Sequence, residues 1–140
     1  YDGPSPEINL FNEKNNGLAI QDLILNKLVN SVHDISSGGI LTTLSEMCIS
    51  GNIGVKIKIP QNRNDLHEYF FAEDQSRYLI EVNKKNVDNV ISFLKKSSIY
   101  FEDIGITQEN MIEINKVLKV KIIELKKINS FWFRNYFTEN

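Results

Sequence analysis

The chain is poor in the residue types that mark several broad classes of protein. Among its 140 residues there are one cysteine and three prolines. The lone cysteine, Cys48, cannot form an internal disulfide, which is typical of a reducing compartment and predicts a cytoplasmic location. The chain also lacks a run of about 18 apolar residues, the length that a transmembrane helix requires, so no membrane partner is expected.

An excess of positive charge is missing as well. The 16 Lys and Arg residues are outnumbered by 18 Asp and Glu residues, which leaves a formal net charge of −2. A chain with this balance has no field that would gather nucleic acid, so no nucleic-acid partner is expected. The apolar fraction of 41% and the charged fraction of 24% are typical of a globular protein and exclude a wholly disordered chain.

The first sixteen residues differ in composition from the rest. They contain two of the three prolines together with several asparagines, and both residue types favour turns and irregular backbone. Residues 1–16 are therefore predicted to form an N-terminal arm or linker. Residues 17–140 are predicted to form one compact domain, which is the usual organisation at this length.

The remaining sequence mixes helical and strand periodicity. Apolar residues at helical spacing predict helices over 18–30, 40–51, 66–71, 87–94 and 122–132. Alternating or short apolar runs predict strands over 31–34, 55–59, 77–82, 99–106, 111–114 and 117–120. Because strands and helices mix without strict alternation, the predicted fold class is α+β, with a mixed β-sheet packed with helices.

One candidate site lies where a predicted strand meets a Gly-Gly turn that opens a helix. His33 and Asp34 end the strand, Ser36 follows, and Gly38 and Gly39 precede the helix. Free amides at a helix N-terminus attract anions, and glycines let a phosphate approach the backbone closely. A serine N-cap with a glycine turn and no ligand explains the same pattern equally well, so both interpretations stay open.

A second candidate site is a run of polar residues before the next strand. Glu73, Asp74, Gln75 and Arg77 offer two carboxylates, an amide and a guanidinium within five positions. Such a set suits a metal ion, a phosphate or a hydroxylated ligand. The alternative is a polar turn in which Glu73 and Arg77 form a structural ion pair.

Other features of the sequence favour structural roles. Cys48 lies on an apolar helical stripe and is interpreted as a core thiol. The aromatic residues of 131–137 are more typical of a core or an interface than of a cofactor site. No nucleotide-binding loop, zinc-ligand spacing or nucleophile elbow is present.

Taken together, these stretches resemble the C-terminal half-domain of the large subunit of phosphoribosylformylglycinamidine synthase. Three segments carry the resemblance: His-Asp-Ile-Ser-x-Gly-Gly at 33–39, Gly-Asn-Ile-Gly-Val at 51–55, and Phe-x-Glu-x-Gln-Ser-Arg at 71–77. Either long motif alone is weak, but their combination and order are fairly specific to that family, and the resemblance covers essentially the whole chain.

The resemblance implies a fold and an activity. The fold is that of the C-terminal domain shared by aminoimidazole ribonucleotide (AIR) synthase relatives. The whole enzyme, which requires ATP and magnesium, converts formylglycinamide ribonucleotide (FGAR) and glutamine-derived ammonia to the amidine in purine biosynthesis, releasing ADP and phosphate. The implied partners are the preceding domains and a glutaminase domain or subunit. Because the family's catalytic His and most metal ligands lie in those preceding domains, this chain is expected to be inactive alone.

The resemblance also implies which residues contact phosphate or nucleotide. These are His33, Asp34, Ser36, Gly38, Gly39, Glu73, Gln75 and Arg77. Asp74 stands where relatives carry serine, and its extra carboxylate repels phosphate. The alternative is a non-catalytic structural or dimerisation domain of another ATP-dependent enzyme of the same superfamily. A homodimer of the isolated domain is a further expected partner state.

Overall fold

The computed structural model describes residues 7–59, 65–115 and 117–138. Its helices are α1 Leu10–Leu25, α2 Gly39–Gly51, α3 Leu66–Phe71, α4 Val87–Lys96 and α5 Ile122–Thr138, with a 3-10 turn at Lys84–Asn86. Its strands are β1 Ser31–Asp34, β2 Gly54–Ile57, β3 Tyr78–Glu81, β4 Gly105–Gln108, β5 Met111–Ile114 and β6 Leu118–Lys121. None of the described helices is both long and apolar enough to cross a membrane.

The chain divides into two compact units. The first unit comprises Tyr1–Thr43 and Asp65–Glu102, and the second comprises Leu44–Asn64 and Asp103–Asn140. Helix α2 begins in the first unit and ends in the second. The assignment of 17–140 to one domain stays a prediction.

The first unit contains a two-stranded antiparallel ribbon and the helices α1, α3 and α4. Strands β1 and β3 pair so that Ser31 lies opposite Glu81 and Asp34 lies opposite Tyr78. Leu23 of α1 is fully buried against Val90 and Leu94 of α4. Partly buried apolar side chains surround this cluster: Ile20, Leu28, Val29, Ile80, Val82, Phe93, Ile99 and Phe101.

Helix α1 corrects the prediction of an irregular arm. The helix begins at Leu10, not near residue 18, because the side-chain oxygen of Asn9 accepts hydrogen bonds from the amides of Phe11 and Asn12. The asparagines that suggested a linker therefore cap and continue a helix. The helix also ends at Leu25, earlier than predicted, and Lys27 then takes a left-handed conformation with φ +55°. Residues 1–6, including both N-terminal prolines, lie outside the described part.

The second unit contains a four-stranded sheet in the order β4-β2-β5-β6. Strands β2 and β5 run parallel, whereas the β2–β4 and β5–β6 pairs are antiparallel, so the predicted mixed sheet is confirmed. The parallel register places Val55 opposite Ile112 and Ile57 opposite Ile114. Ile57, Ile112 and Ile114 are each at most 2% exposed and form the centre of this core.

The predicted strand over 99–106 is largely wrong. Ile99 donates its amide to the carbonyl of Leu94 at 2.9 Å and packs, with Phe101, on the first unit's core. The strand β4 begins only at Gly105 and continues to Gln108, beyond the predicted end. Apolar content alone did not distinguish a segment packed on helices from a strand.

Candidate functional site

The structure brings the two sequence-predicted stretches together within the first unit. Asp34 at the end of β1 lies opposite Tyr78 at the start of β3. One residue beyond this pair, the amide of Ile35 donates to the carbonyl of Arg77 at 2.8 Å. Strand pairing therefore places the Gly-Gly turn and the loop 72–77 at the same end of the ribbon.

Both glycines of the turn adopt left-handed backbone conformations. Gly38 has φ +79° and Gly39 has φ +67°, a region that residues with a Cβ atom rarely adopt. The amide of Gly39 donates to the carbonyl of Ser36 at 3.0 Å. Helix α2 begins at Gly39, directly after this turn.

The space beside these glycines is filled by the protein itself. A Cβ atom on Gly39 would lie 2.6 Å from the carbonyl oxygen of Phe70 and 2.7 Å from the backbone of Phe71. A Cβ atom on Gly38 would lie 2.2 Å from Oγ1 of Thr42. The fold thus requires Gly39 with or without a ligand, because the end of α3 crosses directly over the start of α2, whereas Gly38 is required by its left-handed φ.

A carboxylate of the chain accepts a hydrogen bond from an amide that was predicted to bind phosphate. Oε1 of Glu73 accepts a hydrogen bond from the amide of Gly38 at 2.7 Å. This short, charge-assisted bond shows that the turn presents a donor to an anionic oxygen, and that the oxygen now there belongs to the chain. The predicted ion pair between Glu73 and Arg77 is accordingly wrong.

Arg77 instead holds its own loop together. Its Nη2 atom lies 3.5 Å from the carboxylate of Asp74 and donates to the carbonyl of Ala72, while its Nε atom donates to the carbonyl of Asp74 at 3.3 Å. The Arg77 side chain is less than a third exposed. It therefore fixes the loop that carries Glu73, and Gln75 lies exposed in the same loop.

His33 is oriented by the backbone next to it. Its Nδ1 atom donates to the carbonyl of Asp34 at 2.7 Å and lies 3.4 Å from the Asp34 carboxylate. The hydroxyl of Thr43, which is 1% exposed, donates to the same carbonyl at 3.4 Å. The carbonyl of Asp34 thereby links the end of β1 to α2, and the side chains of Asp34 and Ser36 remain exposed.

Helix α1 contributes residues that the sequence reasoning missed. Nδ2 of Asn16 donates to the carbonyl of Ser76 at 2.8 Å and to its hydroxyl at 3.3 Å. Burial raises the pKa of Tyr78, and the negative charges of Glu13 and Asp34 raise it further. In the described ranges, Oε2 of Glu13 is a buried oxygen without a hydrogen-bond partner. The sequence signal that could have identified these residues is the three-residue spacing of Glu13 and Asn16, which places both on one face of a helix.

The charges around the turn set limits on its ligand. Three exposed carboxylates lie in these segments, those of Asp34, Glu73 and Asp74. The guanidinium of Arg77 is the positive charge in the same segments. The phosphates of ATP fit the donor at Gly38 only if Glu73 leaves and if a cation offsets these carboxylates. In the described residues no group of three or more His, Cys, Asp or Glu could hold a metal ion. A magnesium ion here would need phosphate oxygens among its ligands.

The single cysteine is separate from this turn. Cys48 on α2 is 6% exposed, and burial raises the pKa of its thiol to about 11. The burial of Cys48 confirms its interpretation as a core residue. Because the thiolate is the reactive form of cysteine, the raised pKa makes this thiol unreactive.

The chain is similar to curated proteins that are much longer than the chain itself. The chain is 45% identical over 134 residues to the phosphoribosylformylglycinamidine synthase subunit PurL of Pelagibacter ubique (strain HTCC1062), which covers 96% of this chain and 18% of that protein. It is 33% identical over 135 residues to PurL of Rhodopseudomonas palustris (strain HaA2), with the same coverage. The chain thus spans about 18% of the length of these relatives.

Solved structures share the fold. T. maritima PurL complexed with FGAR matches with a TM-score of 0.69 and 20% identity, covering 81% of this chain and 20% of that chain. T. maritima PurL complexed with ATP matches at 0.67 and 18%, covering 79% and 21%. PurLQS from Thermotoga maritima matches at 0.69 and 20%, again covering 79% and 21%. The expected AIR synthase-like fold is therefore confirmed.

The family assignment follows from a match over most of the chain. The family model for "AIR synthase related protein, C-terminal domain" matches residues 2–114, which include the Gly-Gly turn, the loop 72–77 and strands β1 to β5. The chain belongs to the family of AIR synthase related proteins, as a C-terminal domain of that family.

Proposed function

We propose that this chain is the C-terminal part of an ATP-dependent phosphoribosylformylglycinamidine synthase of purine biosynthesis. The proposed reaction converts FGAR, ATP and glutamine-derived ammonia to formylglycinamidine ribonucleotide, ADP and phosphate. The observation that carries the proposal is the 45% identity to the Pelagibacter ubique subunit across 96% of this chain. Because the chain spans so little of its relatives, the proposal places the catalytic groups outside it and expects no activity from it alone.

The proposed partners follow from the same assignment. They are the preceding domains of the enzyme and a glutaminase domain or subunit. PurL of Thermotoga maritima is found within PurLQS, which supports assembly with further subunits. The requirement for magnesium and the cytoplasmic location stay predictions.

An exchange of segments tests the proposed function. The segment of Pelagibacter ubique PurL that corresponds to this chain is replaced by the chain, and FGAR-dependent ADP release is measured with ammonia. We expect activity within about tenfold of the parent enzyme, a loss of about 1.4 kcal/mol in transition-state stabilisation. The truncated parent, which lacks the segment, is the control and is expected to be inactive. A folded exchange protein without FGAR-dependent ADP release would contradict the assignment.

We further propose that the turn and the loop contact a nucleotide phosphate when Glu73 moves away. The donors are the amide of Gly38, whose present acceptor is already an anionic oxygen at 2.7 Å, and Arg77 of the loop 72–77. His33, Asp34, Ser36, Gly39 and Gln75 complete the proposed site. Bound nucleotide would supply the phosphate oxygens and the accompanying cation, and the chain would supply the donors and their orientation.

The Glu73 bond also favours a second candidate function, which is a structural role without a ligand. In that role Glu73 permanently ties the loop 72–77 to the start of α2, Gly39 serves only the close approach of α3, and Gly38 serves only the turn. The surplus of carboxylates around the turn supports this candidate. Ligand binding by variants of Glu73 distinguishes the two.

Replacing Glu73 with glutamine is predicted to strengthen the binding of Mg-ATP about fivefold. An exposed charged interaction contributes up to about 1 kcal/mol, and the substitution removes the charge that competes with phosphate for the Gly38 amide. The measurement is a titration of the 140-residue chain with Mg-ATP, followed by the amide signals of Gly38 and Gly39.

Glu68→Gln is the matched control for that titration. It removes the same charge from the first unit at an exposed position on α3, and it leaves the Glu73 bond in place. We expect its affinity to equal that of the unmodified chain. If millimolar Mg-ATP shifts the Gly38 amide signal in neither the unmodified chain nor the Glu73→Gln variant, the turn has the structural role.

A further inference from the structure

Helix α1 is attached to the loop 72–77 through the side chain of Asn16. Nδ2 of Asn16 donates to the carbonyl of Ser76 at 2.8 Å and to its hydroxyl at 3.3 Å, and both residues are partly buried. A Cβ atom on the next helical residue, Gly17, would lie 3.7 Å from the hydroxyl oxygen of Tyr78, so α1 lies directly on this end of β3. Asn16 thus joins segments that are 60 residues apart in the sequence.

Ser76 has a backbone conformation that its side chain disfavours. Its φ is +66°, in the left-handed region that residues with a Cβ atom rarely adopt. Such a conformation persists only where the surrounding structure holds it in place. Asn16 is such a support, because its amide group binds the carbonyl and the hydroxyl of Ser76 together.

The backbone on both sides of this bend is fixed by other contacts. After the bend, the carbonyl of Arg77 accepts a hydrogen bond from the amide of Ile35 at 2.8 Å. Before it, the amide of Ala72 donates to the carbonyl of Glu68 at 2.9 Å, and the carbonyl of Ala72 accepts from the Arg77 guanidinium. Residues 73–75 span the gap between these anchors, so a change of φ at the bend alters their path.

We propose that Asn16 is a positioning residue for the candidate phosphate site. By holding Ser76 in the left-handed conformation it sets the path of the loop 72–77, and so places Oε1 of Glu73 2.7 Å from the amide of Gly38. Its influence on nucleotide binding rests on the proposed function, because Glu73 competes with phosphate only if phosphate binds there. The positioning of Glu73 does not depend on that function.

Hydrogen exchange of the Gly38 amide reports the Glu73 bond directly. It is measured by NMR on the ligand-free 140-residue chain. Asn16→Ala is expected to speed this exchange at least about fivefold, because Ser76 then leaves the left-handed region and Glu73 leaves the amide. Asn12→Ala, the same change at an exposed position one turn earlier on α1, is the matched control and should leave the exchange unchanged. Unchanged exchange in a folded Asn16→Ala chain would overturn the proposal.

Ser76→Gly separates positioning from a merely structural hydrogen bond. Glycine adopts a φ of +66° without steric cost, so in the Ser76→Gly background Asn16→Ala should change the Gly38 exchange by less than about twofold. Equal acceleration in both backgrounds would show that Asn16 does not act through the conformation of Ser76, and would overturn the proposal. If Asn16→Ala alone does not fold, a folded double variant with unchanged exchange supports the role, and an unfolded one contradicts it.

A titration with Mg-ATP then distinguishes the positioning role from the proposed function. If phosphate binds at the turn, Asn16→Ala should bind Mg-ATP about two- to threefold more tightly, less than Glu73→Gln, because the Glu73 charge stays nearby. If no variant binds Mg-ATP while the Gly38 exchange responds to Asn16→Ala and recovers with Ser76→Gly, the positioning role stands and the nucleotide site is wrong. Binding by Glu73→Gln, without faster Gly38 exchange in Asn16→Ala, would keep the site and overturn the positioning role.

Discussion

Gly39→Ala is expected to lower the free energy of unfolding of the first unit by about 3 kcal/mol or more. The added Cβ atom would lie 2.6 Å from the carbonyl oxygen of Phe70, and a left-handed φ of +67° adds backbone strain. Neither neighbour is a flexible side chain, so α2 or α3 must shift. The same shift would lengthen the bond between Gly38 and Glu73, which the amide signal of Gly38 would report.

Gly51→Ala is the control at the other end of the same helix. A Cβ atom there would meet no atom within 4 Å, so alanine should be neutral or stabilise the chain by about 0.5–1 kcal/mol through helix propensity. Urea unfolding of the three chains, followed by circular dichroism, measures both effects. Equal stability of Gly39→Ala and the unmodified chain would show that α3 does not cross the turn as described.

Ile112→Ala should lower the free energy of unfolding of the second unit by about 4 kcal/mol. Ile112 is 0% exposed, and it lies between Val55 of β2 and Val120 of β6 in the sheet register. Removing three carbon atoms there leaves a cavity that neighbours in two strands cannot close without breaking the ladder. Because Trp132 belongs to this unit, its fluorescence follows the transition in urea.

Ile106→Ala provides the matched comparison on the same sheet. Ile106 of β4 is 62% exposed, so losing the same atoms should change the free energy of unfolding by less than about 0.5 kcal/mol. The denaturant slope should be equal in all three chains, which would show that only stability differs. A similar loss for both variants would indicate that the sheet does not bury Ile112 as described.

Local signals in the sequence predicted much of the secondary structure. The strand Ser31–Asp34 and the helix Leu66–Phe71 were predicted with their observed bounds. In each case the element has a marked periodicity of apolar residues, or a turn signal in the sequence marks its end. The start of α1 was missed because Asn9 can be a linker residue or a helix cap, and only its hydrogen bonds to Phe11 and Asn12 decide which.

The site was predicted as a set of segments rather than as a set of contacts. Both motifs do lie at one end of the β1–β3 ribbon, and the resemblance to the synthase family indicated which segments to examine. The partners of the charged groups were not predictable from their spacing. Glu73 lies four residues from Arg77 and 35 residues from Gly38, yet it bonds to Gly38. The hydrogen-bond partner of Glu73 depends on where α3 ends relative to the start of α2.

The sequence by itself determined the fold class, the mixed sheet and the family, because these depend on periodicity and on short motifs whose order along the chain is visible. Tertiary structure alone decided what fills the Gly-Gly turn and which apolar residues are buried. A glycine pattern reports that a Cβ atom is not tolerated, but only packing shows whether a ligand or the backbone of Phe70 takes that space. Likewise, an aromatic helix end has the same sequence whether it enters a core or, as in α5, stays exposed.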